Sequence, residues 1–147
     1  MKILIISPGK THDPLLADAI SEYEKRLQNR LPIEWNFPKP GSKEAEAEAI
    51  IKLLKKEDFV VLLDERGKDV DTTGLSALLD KHLQGGTKRM VFVIGGAFGV
   101  DKTLQDWANS TIKLSSLVFP HMLVRLIITE QLYRGISILD GKKYHHA

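Results

Sequence analysis

The sequence predicts an α/β fold, a mostly parallel sheet flanked by helices, and three observations carry that prediction. Short β-type runs alternate along the chain with longer segments of helical period. Two of the runs, Phe59 to Leu63 and Met90 to Ile94, are continuously apolar, as strands covered on both faces are. At 147 residues, with no internal repeat or low-complexity linker, the span 1–147 reads as a single domain.

Taken in order, Ile3 to Ser7 is a buried first strand. Asp13-Pro14 opens a helix, with Asp as N-cap and Pro at the first helical position, and Leu16, Ala19, Ile20, Tyr23 and Leu27 follow at helical spacing. Pro32 to Phe37 alternates Ile33, Trp35 and Phe37 with polar neighbours, the pattern of a half-buried strand near a sheet edge. Pro38 to Gly41 breaks the chain, and Ser42 caps a helix whose apolar stripe is Ala47, Ile50, Ile51 and Leu54. Its glutamates lie toward the positive end and its lysines toward the negative end. The apolar strand ending at Leu63 runs into a polar loop, Asp64 to Lys68, and a short helix follows from Thr72 or Thr73 to about His82. The strand to Ile94 ends in the turn Gly95-Gly96-Ala97-Phe98-Gly99; Asp101 then caps a helix, and Ser110 to Ser115 is a fifth strand. From Pro120 to about Leu139 runs a long helix, apolar on most of its circumference, which calls for cover on more than one side. A second copy of the chain is the expected cover.

Composition excludes several classes. There is no cysteine, so disulfide frameworks, thiolate metal sites and cysteine nucleophiles are ruled out. Twenty-one basic against nineteen acidic residues give a net charge of +2, too little to hold long nucleic acid by charge alone; an RNA partner must be bound locally. The apolar run at the N-terminus is too short for a signal peptide, and the most apolar stretch, Leu117 to Ile128, contains Pro120, His121 and Arg125, which argues against a membrane span. A cytoplasmic protein without a membrane partner is expected.

Few segments can carry chemistry. The Gly95 to Gly99 turn lets a ligand approach the backbone and allows positive φ, but it is not G-x-G-x-x-G and opens no dinucleotide-binding unit. Asp64 has the place of a phospho-acceptor in a receiver-like module, yet the acidic pair such modules carry after the first strand is replaced by Ser7-Pro8-Gly9-Lys10. The histidines are too scattered for a metal site, and no G-x-S-x-G elbow is present. The segment Leu114 to His121 can offer backbone donors and acceptors to a purine while burying its faces. His121, in the first turn of the last helix, reads as structural more readily than catalytic. The tail Gly141 to Ala147 gathers Lys142, Lys143, Tyr144, His145 and His146. Such a terminus is ordinarily frayed, but its groups have the capacity for base stacking, phosphate contact and proton transfer.

In this order the segments resemble one family, the SPOUT-class methyltransferases of the RlmH type. The match spans essentially the whole chain: Pro8-Gly9-Lys10, Tyr23 to Leu27, Leu63 to Lys68, Ile94 to Gly99, Leu114-Ser115 through Phe119-Pro120-His121, Val124-Arg125, Glu130 to Arg134, and Tyr144-His145. The resemblance implies a C-terminal trefoil knot, S-adenosylmethionine as methyl donor, N3 of a pseudouridine in 23S ribosomal RNA as target, methylated on the assembled ribosome, and a homodimer with active sites at the subunit interface. It assigns the cofactor to Leu63, the Gly95-Gly96 turn, and Leu114, Ser115, Ser116, Leu117, Val118 and Phe119. It places the tail on the substrate side, with His145 as candidate base and Tyr144 stacking or positioning. Arg134, Lys142, Lys143 and His146 are the expected RNA contacts, and Arg125 is expected to serve the interface. Relatives usually follow Tyr-His with Arg or Lys, whereas this chain has His146 and Ala147. The competing class is a non-catalytic ribosome- or small-ligand-binding α/β dimer. No metal is implied.

Overall fold

The computed structural model describes residues 1–96 and 99–146; Ala97, Phe98 and Ala147, the first two within the expected glycine turn, lie outside the described residues. In chain order the elements are β1 (Lys2–Ile6), α1 (Pro14–Leu27), β2 (Ile33–Asn36), α2 (Lys43–Ile51), β3 (Phe59–Asp69), α3 (Thr72–Gln84), β4 (Arg89–Ile94), α4 (Lys102–Trp107), β5 (Ser110–Lys113) and α5 (His121–Leu139). The five strands form one sheet in the order β2-β1-β4-β3-β5, every neighbouring pair parallel. The alternating β2 is an edge strand, as its pattern predicts.

Successive side chains of a strand point to opposite faces, and the core divides accordingly. Ile3, Ile5, Val61, Leu63, Met90, Phe92 and Ile94 pack on one face with residues of α1, α3 and α5. Leu4, Ile6, Val60, Leu62, Val91 and Val93 pack on the other with α2 and α4. The three central strands therefore need apolar residues at every position, which is why their sequences read as unbroken apolar runs. Gly135 lets α5 come close to α3, where Ser76 Oγ donates to the Gly135 carbonyl at 2.8 Å.

Two expectations are corrected. Asp64 to Lys68 is not a loop after β3 but part of it: the strand runs to Asp69, with a register break that pairs both Leu63 and Lys68 with Ile112. Such a bulge ejects the intervening residues from the ladder while keeping the strand paired. Gly67 sits here against the β5 backbone, where a Cβ would lie 2.7 Å from atoms of Thr111 and Ile112. Second, β5 ends at Lys113 and α2 at Ile51, so Leu114 and Ser115 are freed for a loop and Leu54 lies beyond its helix. The glycine turn takes positive φ at Gly99, +86°, and not at Gly95 or Gly96.

Candidate active site

The carboxyl ends of β3, β4 and β5 converge with the first turn of α5 on a cavity of about 330 Å³. Its walls are Leu63, Asp64 and Glu65 from β3, Ile94 to Gly96 with Gly99 and Val100 after β4, the Leu114–Phe119 loop after β5, and His121 and Val124 from α5. This is the place where parallel α/β sheets hold ligands, because connections diverge there and leave backbone groups unpaired by the ladder. The volume lies in the range of small-molecule sites. One side is open: Leu117 and Val118 are 72% and 83% exposed. The glycines answer to neighbours beneath the turn: a Cβ on Gly96 would overlap the buried Glu46 carboxylate, and one on Gly95 would lie 2.7 Å from Val100 Cγ2. Glu46 is held by the Gly41 N–H, which donates to its Oε2 at 3.1 Å.

The charged groups on the cavity wall are acidic. Asp64 is gripped by Arg66, whose Nε and Nη2 donate at 2.9 and 3.0 Å. These hydrogen bonds, set against burial, hold its carboxyl below the usual range. His121 is pushed down by burial and then by the Arg125 charge, both of which favour the neutral imidazole. Arg125 is fully buried and, among the described residues, pairs with no carboxylate; it donates to Ser7 Oγ at 2.8 Å and to the Lys10 carbonyl at 2.9 Å and lies over the Phe37 ring. It fastens the Ser7–Lys10 loop to α5.

A second cluster forms farther along α5. The helix ends in a Schellman turn: Gly141 takes φ +69°, its N–H donates to the Ile138 carbonyl at 3.2 Å, and the Lys142 N–H donates to that of Ser137 at 2.9 Å. The chain folds back, and Asp140 is clamped by Arg30, in the turn that follows α1. Tyr144 thereby meets α1 and α5. Its hydroxyl lies 3.1 Å from that of Tyr23 and donates to Glu130 Oε1 at 3.3 Å, while its ring packs edge-on to Tyr133 and under the Arg134 guanidinium. Burial, then the Tyr23 hydrogen bond and the Glu130 charge, push its pKa up to about 12. Arg134 donates through Nε to Glu130 Oε1 at 2.7 Å, and its Nη1 lies 3.3 Å from His145 Nδ1.

A family model described as predicted SPOUT methyltransferase matches residues 1–145. Curated relatives named ribosomal RNA large subunit methyltransferase H include proteins of Parabacteroides distasonis and Porphyromonas gingivalis, each 38% identical over 156 residues covering 99% of this chain and 99% of the relative. Another, from Geotalea daltonii, is 38% identical over 153 residues, covering 99% of this chain and all of the relative. The chain belongs to the SPOUT methyltransferase family. A member of this family transfers a methyl group to an acceptor.

Of the residues expected to hold the methyltransferase cofactor, Leu63, Gly95, Gly96, Leu114, Ser115, Leu117, Val118 and Phe119 line the cavity. Ser116 does not; its hydroxyl accepts from Lys113 Nζ at 3.3 Å. Tyr144 and His145 come together with Arg134, whereas Lys142, Lys143 and His146 are exposed. Sequence reasoning missed Glu46, because a buried carboxylate in a helix whose other glutamates are solvated carries no local signal. It also missed the partnership of Tyr23 and Glu130 with Tyr144, which spans 121 residues of chain. The two clusters are separated on α5: Val124 and Arg134 are ten residues apart, about 15 Å along a helix rising 1.5 Å per residue. Among the described residues, no helix is long and apolar enough to cross a membrane and no group of His, Asp and Glu is arranged to hold a metal ion.

Proposed function

We propose that this chain is an S-adenosylmethionine-dependent ribosomal RNA methyltransferase that modifies N3 of a pseudouridine in 23S RNA, working in the cytoplasm as a homodimer of single-domain protomers. The observation that carries the reading is the pairing, on one helix, of a cofactor-sized cavity and a docked Tyr144-His145 tail. The names of the relatives supply the ribosomal RNA class, and the resemblance in the sequence supplies the nucleotide and the C-terminal knot.

The residues present fit the cofactor. Apolar walls from Leu63, Leu114 and Phe119 suit an adenine ring, and Asp64 and Glu65 suit a ligand that bears an ammonium and a sulfonium. Bound there, S-adenosylmethionine would supply an electrophilic methyl group, the sulfur keeping the bonding electron pair. The protein's part is to align the acceptor nitrogen with the methyl group. The axial separation of about 15 Å, at 1.5 Å per residue, supports a reading in which the tail of one protomer serves its partner's cavity. The half-exposed Met122, Leu123, Leu126 and Ile127 of α5 continue the exposed Leu117 and Val118 into an apolar strip. Cover by a second copy buries that strip and brings one protomer's tail to the other's cavity.

Thermal unfolding with and without S-adenosylmethionine tests the cavity, since a ligand of the native state raises the melting temperature. Methyl transfer to assembled ribosomes, separated subunits and free 23S RNA, followed by mass spectrometry of the RNA, tests the reaction. A stabilised protein that transfers no methyl group to any of these would leave the non-catalytic binding dimer as the better reading.

A further inference from the structure

The contact between Arg134 and His145 decides what the imidazole can do. His145 Nδ1 lies 3.3 Å from Arg134 Nη1. A guanidinium has donors only, so Nδ1 is the acceptor, its lone pair is occupied, and the proton of the neutral ring sits on Nε2. Arg134 is not free to turn away. Its Nε is bound to Glu130 Oε1 at 2.7 Å; the other Glu130 oxygen accepts from Gln131 Nε2 at 2.8 Å, and Gln131 Oε1 accepts from Thr72 Oγ1 at 2.7 Å. The guanidinium also rests over the Tyr144 ring, 4.7 Å from its centroid. A chain of groups from α3 through α5 thus presents the outer nitrogen of His145 as an N–H.

An N–H cannot take a proton. We propose that His145 is not the base of the reaction but donates its Nε2–H to a carbonyl oxygen beside the reacting ring nitrogen of the substrate. Arg134 and Glu130 are positioning residues that hold this tautomer. The inference rests on the functional reading above in taking as acceptor a uracil-type ring whose N–H lies between two carbonyls. The ring proton leaves to water or hydroxide. The electron pair left on nitrogen spreads over the flanking carbonyl oxygens, where a fixed donor stabilises it most. The same pair then forms the N–C bond, and the ring returns to neutrality. Tyr144 does not take the base's place, because its hydroxyl is committed to Glu130 and Tyr23 and stays protonated.

Two readouts test this. In the free protein, ¹⁵N spectra of labelled histidine are expected to give His145 a pyridine-type Nδ1 and a pyrrole-type Nε2, and Arg134→Met is expected to mix the tautomers. In single-turnover methyl transfer, His145→Ala is expected to lose about 100-fold or more, the scale for removing one fixed donor. His145→Gln keeps an N–H near the Nε2 position and has no basic nitrogen, and is expected to stay within about tenfold of the unmodified protein, since a donor is retained. A pyrrole-type Nδ1 in the unmodified protein, or a glutamine variant as slow as the alanine one, overturns the assignment. An unmodified protein that transfers no methyl group overturns the functional reading instead, and the tautomer remains readable.

Discussion

The cavity near the start of α5 and the tail cluster toward its end are built on opposite terms. The cavity is made of backbone and apolar walls, with glycines placed where Val100 and Glu46 leave no room for a side chain. The tail cluster is made of functional groups, each with a named partner: Tyr23, Glu130, Arg134, Tyr144 and His145. Shape sets the first and hydrogen-bond identity the second. The cavity should therefore tolerate chemical change and resist added volume, while the tail should tolerate little chemical change.

The largest expected effect separates the two regions outright. Deleting Tyr144 to Ala147 should abolish methyl transfer while melting temperature and S-adenosylmethionine affinity stay nearly unchanged, because the Schellman turn that ends α5 is completed before Tyr144. Parallel calorimetry and transfer assays check it, and a deletion that weakens cofactor binding would merge the two regions. Next is Gly67→Ala. Its Cβ would press on the Thr111–Ile112 backbone, which cannot yield as a side-chain tip can. A stability loss of about 1–3 kcal/mol is expected, the scale of overpacking, together with weaker cofactor binding and an undisturbed tail; denaturant unfolding and titration read both.

Smaller effects sharpen the contrast. Tyr144→Phe keeps the ring packing on Tyr133 and loses the hydroxyl's contacts with Glu130 and Tyr23, so tail docking should weaken by about 1 kcal/mol, the usual net value of one hydrogen bond; Tyr144-region amide exchange checks it. The smallest difference is in pH. The Asp64 carboxyl is lowered, first by its Arg66 hydrogen bond, so its contribution is present above the usual carboxylate range and is lost as pH falls through the lowered value. The Tyr144 phenol is raised, so the docking it supports is present below the ordinary phenol value and is lost as pH rises toward about 12. Acid should loosen the cavity wall first and alkali the tail, which cofactor titration and tyrosinate absorbance would resolve.

Legibility follows the range of the interactions. The N-caps at Asp13, Ser42 and Asp101 are local, and each caps its helix as the sequence predicts, accepting from the N–H of Leu15, Ala45 and Thr103. The loop after β5, which lines the cavity, stood out in the sequence because small polar residues sit beside apolar ones there. The continuation of β3 past Leu63 was not, since Asp-Glu-Arg-Gly-Lys has turn composition and only pairing with β5 makes it a strand. The tail reads as a frayed terminus for a like reason. Its order comes from Tyr23 and Glu130, and nothing near Tyr144 in the chain announces them.

By itself the sequence determined the parallel α/β architecture, the edge position of β2 and the family, because apolar period, caps and ordered motifs are written in neighbouring residues. Only the tertiary structure decided that Arg125 is an internal fastener, that Glu46 backs the glycine turn, and that Arg134 engages His145 at Nδ1. Each of these depends on which groups from distant segments arrive within hydrogen-bonding or contact distance. Burial then makes that meeting matter, since a polar group removed from water must find its partner in the fold.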